Sequence, residues 1–421
     1  MSAGPLTLAD IRELHQRWLA GAEFDIGYPN AVDFDPSTVL RLFDVTLNNV
    51  GHPFAPTTGF SGHTLSLEQQ LIRELGAMFR CPPELVTGFV TSGSTEAIKA
   101  ALLQARRRFR RHVVVYASTA AHTCVAKLTE ELCMALQVVP ASLDGVMNVA
   151  SLTELVAQRP EDAAVVVVAT IGTTMVEAVD DVPAIHAALD AASVPASQRW
   201  VHADAALAGI PLAMLDPAER PGFDFADGAD SLNVSGHKYL GVPMPCGAVL
   251  LRTDRCPAVD ETPTYTGAPD LTPAGSRSGH TPLLILAALR GFGIHGLRER
   301  AATCRRNAAA LVELFSAADV PAWRHPLGFT VVLPAPSEQL RARWPVPPPE
   351  LARDDGWTHV ICMPGKHFEV YQRFAAEYLI DRGNTTSRHL PVQHGPDRHT
   401  SGQHSSAPHH DAEHPEDAIA C

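Results

Sequence analysis

The run AAVVVVAT at residues 163–170 sets four valines in succession with no polar residue between them. A strand with one face in water alternates apolar and polar side chains, whereas a strand apolar on both faces must be covered on both, as in a parallel sheet. HVVVYAS (112–118) has the same character. These runs alternate with stretches of helical spacing: FVTSGS leads into TEAIKAALLQARRRF, HVVVYAS into TAAHTCVAKLTEEL, and AAVVVVAT into a turn and VPAIHAALDAAS. RWVHADAAL, DSLNVSG and CGAVLLR are further short strand candidates. Strand and helix in alternation predict an α/β domain with helices on both sides of a mostly parallel sheet. Ligands are then expected at the carboxyl ends of the strands.

The flanks read differently. Residues 1–50 form an N-terminal segment with an amphipathic helix, LADIRELHQRWLAG, and a turn signal at Pro29 and Asn30. LSLEQQLIRELGAMFR (65–80) carries apolar residues at helical spacing and opens the large domain, expected over 51–281. Beyond it a helical stretch at 297–318, then FTVVLPAP, WPVPPPE, THVICMP and a last helix predict a small α+β domain over 282–382. From 383 to 421 the composition turns to Gly, Ser, Thr, Pro and His, with histidines at 389, 394, 399, 404 and 409. A spacing of five fits neither a helical nor a strand face, so the segment is expected to be a disordered polar tail, with adventitious metal binding as the alternative.

A chain of 421 residues needs more than one core. Its net charge of −13 argues against nucleic-acid and membrane-surface partners. No apolar run approaches the roughly 20 residues that cross a bilayer, and the first residues carry no basic-then-apolar leader pattern. The eight cysteines are scattered without a CxxC pair, which points to free thiols and a cytoplasmic location. The histidines of the folded part show no metal-ligand spacing such as HExxH, so no metal is expected there.

Several segments carry chemistry. In TSGSTEA (91–97), Gly93, Ser94 and Thr95 stand between a strand and a helix, where free backbone N–H groups suit a phosphate; the same residues also make an ordinary helix cap. In WVHADAAL (200–207), Asp204 ends an apolar strand and needs a partner. A protonated pyridine nitrogen is one such partner; a turn or a buried arginine is another. In SLNVSGHKYLG (231–241), Lys238 is a side chain able to condense with an aldehyde, with Ser235 and His237 beside it as phosphate donors. Thr174, in IGTTMVEAVDD, is either a turn hydroxyl or a contact to a ring oxygen. His122 is either a core histidine or a ring that stacks on a flat cofactor.

The order TSGSTEA, His122, IGTT, HADAA, SGHK resembles that of the group II decarboxylases that use pyridoxal 5′-phosphate (PLP). The likeness extends from FDIGYPNAVDFD through SGHKYLGVPMPCG, GSRSGHTPL and AWRHPLGFTVVLPAPSE to HVICMP, roughly residues 20–380. Within that group the chain is similar to the bacterial histidine decarboxylases and the plant serine decarboxylases. The resemblance implies PLP fold type I, the aspartate-aminotransferase-like architecture, in a homodimer with shared active sites and an amino acid as substrate. It implies that Lys238 holds PLP as a Schiff base, Asp204 pairs with the pyridine nitrogen and His122 stacks on the ring. Gly93, Ser94, Thr95, Ser235 and His237 would surround the phosphate, Thr174 would approach the ring oxygen, Ala206 would also bind the cofactor, and Ser276 would reach the phosphate of the neighbouring subunit. Tyr265 would be the proton donor or a substrate contact.

The implied reaction is decarboxylation of an L-amino acid to its amine. Two departures from the histidine enzymes, Gly328 where they carry serine and the stretch around His63, lie where side-chain recognition is expected. They keep open a small aliphatic or hydroxylated substrate such as valine, leucine or serine. A diverged enzyme forming an aldehyde or a carbon–carbon bond is the further alternative.

Overall fold

The computed structural model describes residues 6–55, 61–110, 112–257, 270–348 and 356–383. Helix α1 (Leu8–Phe24) opens on a capping box, in which Thr7 and Asp10 each accept the other's backbone N–H. A 3-10 helix at Pro36–Asp44, the short strand β1 (Asn48–Asn49) and α2 (Leu65–Met78) follow. Strands and helices then alternate: β2 (Val86–Thr91), α3 (Ser94–Phe109), β3 (Val113–Ser118), α4 (Cys124–Glu131), β4 (Ala135–Val139), α5 (Val149–Ala157), β5 (Ala164–Thr170), α6 (Val182–Ala191), β6 (Arg199–Asp204), α7 (Gly209–Ala213), β7 (Ser231–Ser235) and β8 (Gly247–Arg252). β9 (Arg277–Ser278) pairs with β1. α8 (His280–Ser316) is kinked at Gly293, where φ is +61°. β10 (Thr330–Pro334), α9 (Glu338–Arg343), β11 (Trp357–Ile361) and α10 (Phe368–Asp381) complete the described chain.

The main sheet has seven strands in the order β2-β8-β7-β6-β5-β3-β4. β3 to β7 run parallel, and β8 runs antiparallel to its neighbours β2 and β7. This is the α/β architecture expected from the valine runs. Period-2 alternation divides each strand between two buried faces. Val113, Val115, Val166, Val168 and Trp200 pack under α3 and α4, while Val114, Tyr116, Val165, Val167 and Val201 pack under α2, α5, α6 and the first part of α8. All seven residues of β5 are buried.

β4 is the one strand of this sheet that the sequence pattern does not announce. It lies at the sheet edge, and most of its side chains are exposed or half-buried, so neither alternation nor an apolar run marks it. A second core is built from the last turns of α8, β10, β11 and α10 around Phe315, Trp344, Phe374 and Tyr378. Ile26 and Ala31 from the N-terminal segment are buried in it as well. The expected His-rich tail lies outside the described residues, apart from Gly383.

One buried ion pair fastens the β1–β9 bridge to the main sheet. Arg277 and Glu68 are both almost fully buried. The Glu68 carboxylate also accepts from Asn49 Nδ2 at 2.6 Å and from Val90 N at 2.7 Å. Arg277 donates further to Val90 O at 3.1 Å and Gly51 O at 2.8 Å and lies over the Phe89 ring. Removing one partner leaves a desolvated charge without an ion partner, which typically costs about 3–5 kcal/mol. Glu68→Ala is therefore expected to lower the urea midpoint of unfolding by a corresponding amount. A midpoint within error of the wild type would show that solvent or another group takes over the pairing.

Candidate active site

The parallel strands and β2 end at one rim of the sheet, and β8 begins there. Each candidate side chain sits just past a strand end. Gly93, Ser94 and Thr95 follow β2; His122 follows β3; Thr174 follows β5; Asp204 closes β6 with Ala206 beyond it; Ser235 closes β7, followed by His237 and Lys238. Together they line one cavity of about 310 Å³. Two glycines permit this closeness. A Cβ on Gly247 would stand 2.7 Å from Val234 O and 3.1 Å from Ser94 N, so the start of β8 lets the α3 N-terminus approach the sheet. Gly172 has φ +97°, and a Cβ there would lie 2.7 Å from that of Ala208.

The α3 N-terminus offers its free N–H groups to the cavity, and Ser94 Oγ lies 2.7 Å from Ser235 Oγ. His237 Nδ1 lies 2.9 Å from Cys246 O, which leaves Nε2 as its remaining ring nitrogen. His122 Nδ1 accepts from Cys124 N at 3.1 Å, and burial pushes its pKa down, so the ring is neutral at neutral pH. Burial also lowers the pKa of Lys238, an effect opposed by the charge of Asp204 and by Cys124. Asp204 is 5% exposed and accepts from Asn233 Nδ2 at 2.9 Å through Oδ1. Aldehyde-reactive amine, buried carboxylate and anion-binding helix end thus meet in one cavity.

Two candidates stand apart. Ser276 is exposed, accepts from Asn48 Nδ2 at 3.2 Å and lines a neighbouring hollow of about 670 Å³. Tyr265 lies outside the described residues. The cavity also takes in residues that sequence reasoning passed over. Cys124, whose thiol burial pushes up to about 11, is one; Thr170 and Pro245 are others. Asn233 was discoverable from strand alternation, which sets it on the same face as Ser231 and Ser235. Neither Gly328 nor His63 is among the residues lining this cavity.

The pyridoxal-dependent decarboxylase conserved domain matches residues 57–319. The chain is 37% identical over 340 residues to a histidine decarboxylase of Mesorhizobium japonicum, covering 81% of this chain and 89% of that protein. It is 32% identical over 362 residues to a histidine decarboxylase of Pseudomonas entomophila, covering 85% and 87%. Among solved structures, L-methionine decarboxylase from Streptomyces sp. 590 superposes with a TM-score of 0.81 at 23% identity, over 90% of this chain and 96% of that one. A Lactobacillus brevis glutamate decarboxylase superposes with a TM-score of 0.73 at 17% identity, over 93% and 96%. The chain belongs to the pyridoxal-dependent decarboxylase family and has the fold type I architecture. It is a PLP-dependent amino-acid decarboxylase, similar to the bacterial histidine decarboxylases. The donor set of the cavity fits PLP, since each polar part of the cofactor finds a complementary group among the residues above.

The loop that carries Thr174 is tied to the second sheet by Glu177. This residue is held at φ +59°, and its Oε2 accepts from Phe329 N at 2.8 Å and Thr330 N at 2.7 Å. Gly328 packs on the same carboxylate: a Cβ there would lie 3.1 Å from Oε2. Burial raises the Glu177 pKa from 4.5 to about 7, against the pull of Thr330, Phe329 and Arg305. Below pH 4.5 both the folded and the unfolded chain carry this proton. Between 4.5 and about 7 the unfolded chain releases it while the folded chain keeps it, so stability falls as pH rises. Glu177→Gln is expected to remove that component, an effect on the order of 3 kcal/mol. Thermal unfolding of the two apoproteins across this window checks it; parallel pH profiles would mean that Glu177 is ionised throughout.

Proposed function

We propose that this enzyme decarboxylates L-histidine to histamine. The observation that carries the reading is the gathering of Lys238, Asp204 and the α3 N-terminus in one cavity, in a chain that matches histidine decarboxylases over most of its length. The position of Gly328 supports it, since this departure from the histidine enzymes faces Glu177 and not the cavity. PLP, when bound, supplies the sink for the electron pair released as carbon dioxide leaves.

The chain's own residues do the rest. Lys238 Nζ is the amine that holds the cofactor, and its lowered pKa favours the free-base form needed for that attachment. Asp204 would pair with the pyridine nitrogen and keep a proton there. Ser94, Thr95, Ser235, His237 and the N–H groups of α3, with Gly93 at its cap, would hold the phosphate. His122 would stack on the ring, Thr174 would bind the ring oxygen, and Ala206 would be a further cofactor contact. Apolar walls beside the substrate carboxylate would disfavour that charge and favour its loss. Tyr265 is the candidate either to return a proton to the substrate carbon or to contact the substrate.

A homodimer completes the site. Helix α1 has no buried residue, and Leu8, Ile11, Trp18 and Leu19 are exposed. An apolar face of this kind is suited to a second copy. Ser276, which does not line its own chain's cavity, would then bind the partner's phosphate. The seven described cysteines are free thiols, which supports a cytoplasmic location. Among the described residues no helix is long and apolar enough to cross a membrane.

Histidine, valine, leucine, serine and methionine offered to the holoenzyme, with products identified by mass, test the substrate. Histamine and carbon dioxide from histidine alone are expected; another amine would reassign the substrate, and ammonia or an aldehyde would reassign the reaction. Lys238→Ala is expected to abolish turnover with an unchanged far-ultraviolet dichroism spectrum. Asp204→Asn is expected to keep PLP but to slow turnover by several orders of magnitude, about the loss of a charge-stabilising partner in a dry site. Light scattering of the holoenzyme is expected to give twice the chain mass; a monomer with full activity would sink the shared site.

A further inference from the structure

Beneath the cavity, one face of the sheet carries a block of polar side chains inside otherwise apolar packing. β6 and β7 pair in register, with His202 opposite Ser231 and Asp204 opposite Asn233. Residues two apart on a strand share a face, so Trp200, His202 and Asp204 line up beside Ser231, Asn233 and Ser235. His202, Ser231, Asn233 and Trp200 are all fully buried. Trp200 Nε1 donates to Ser231 Oγ at 2.9 Å, Ser231 Oγ lies 2.8 Å from His202 Nδ1, and Asn233 Nδ2 donates to Asp204 Oδ1 at 2.9 Å.

The two ends of the row set the direction between them. An indole N–H can only donate, so Ser231 accepts from Trp200 with one lone pair. Its second lone pair and its one proton suit either tautomer of His202 at Nδ1, so the other end decides. A neutral imidazole that accepts at Nδ1 carries its hydrogen at Nε2. Burial holds this ring neutral by lowering its pKa to about 4, and Asp204 is the charged group that acts on it. His202 Nε2 and Asn233 Oδ1 are both buried, and neither has a hydrogen-bond partner among the described residues. A carboxylate only accepts, so Asn233 gives Nδ2 to Asp204 and keeps Oδ1 as an acceptor on the face it shares with His202. An Nε2–H is the donor that complements it.

We propose that Trp200, Ser231, His202 and Asn233 form a one-way hydrogen-bond relay, closed by His202 Nε2–H on Asn233 Oδ1, that points a donor at Asp204 Oδ1 and holds its other oxygen toward the cavity. These are positioning residues; none of them lines the cavity. The relay rests on the proposed role of Asp204 toward the cofactor.

Nitrogen NMR of the apoprotein labelled at histidine tests the direction without any turnover, with His202→Gln used to assign the signal. The expected result is a neutral ring protonated at Nε2 from pH 6 to 8. A ring protonated at Nδ1, or a cationic ring, overturns the proposal. Trp200→Phe removes the donor at the head of the relay. It is expected to shift the tautomer toward Nδ1–H, to weaken PLP binding roughly tenfold, the loss of one hydrogen bond to a charged group, and to lower kcat with KM retained. An unchanged tautomer with unchanged PLP affinity overturns it. Should that variant fail to fold, Ser231→Ala and its hydroxyl-retaining counterpart Ser231→Thr decide, with the effect expected only in the alanine form. Failure of the Asp204 reading is separable: Asp204→Asn with unaltered PLP affinity and turnover, beside a wild-type His202 still protonated at Nε2, overturns the purpose of the relay and not its direction.

Discussion

A carboxylate at the end of a buried strand is stable only when donors meet its oxygens, and Asp204 imposes that requirement on everything around it. β7 answers on one side with Asn233, in register across the sheet. The open side is the cavity, which Asp204 lines together with Lys238. The rim then follows from the same demand. On the proposed reading of the site, strands must end together for a cationic group to reach the carboxylate, and the α3 N-terminus must come close enough to receive the cofactor's phosphate. The absence of a side chain at Gly247 allows that approach.

Much of this arrangement is legible in the sequence, because the residues concerned are under strong physical constraint. The apolar runs of β3 and β5 admit no other exposure pattern, and Asp204, His122 and Lys238 each fall just past such a run. What escapes is set by weaker signals. β4 is an edge strand with exposed side chains, so it has no pattern to read. α4 begins at Cys124, later than the helical spacing suggests, because His122 is taken up in the turn before it. Asn233 and Ser231 look like ordinary strand residues until the pairing of β6 with β7 shows what they face. Glu177 is harder still: its partners Phe329 and Thr330 lie about 150 residues away in the chain, and their spatial proximity is invisible to any local pattern.

Two buried acids outside the cavity show how the framework is held at a distance from the chemistry. Glu68 joins the β1–β9 bridge to α2 and β2, and so fixes the segment that ends in Ser276. Glu177 joins the loop of Thr174 to β10. Their electrostatics differ. Glu68 has an arginine in contact, whereas Glu177 is met mainly by backbone N–H groups, and its protonation is correspondingly sensitive to its surroundings.

Helix α8 belongs to both cores at once. Leu284, Ile285, Leu289, Leu297 and Ala301 are packed with the main sheet, while Cys304, Ala308, Leu311 and Phe315 are packed with β10, β11 and α10. A cut at 281 would strip the main sheet of a layer that shields it from water, and a cut after 301 would remove the helix on which the second core is assembled. The two cores are therefore not exchangeable cassettes. Recombination with a relative is constrained to carry this helix together with the partners on both of its ends.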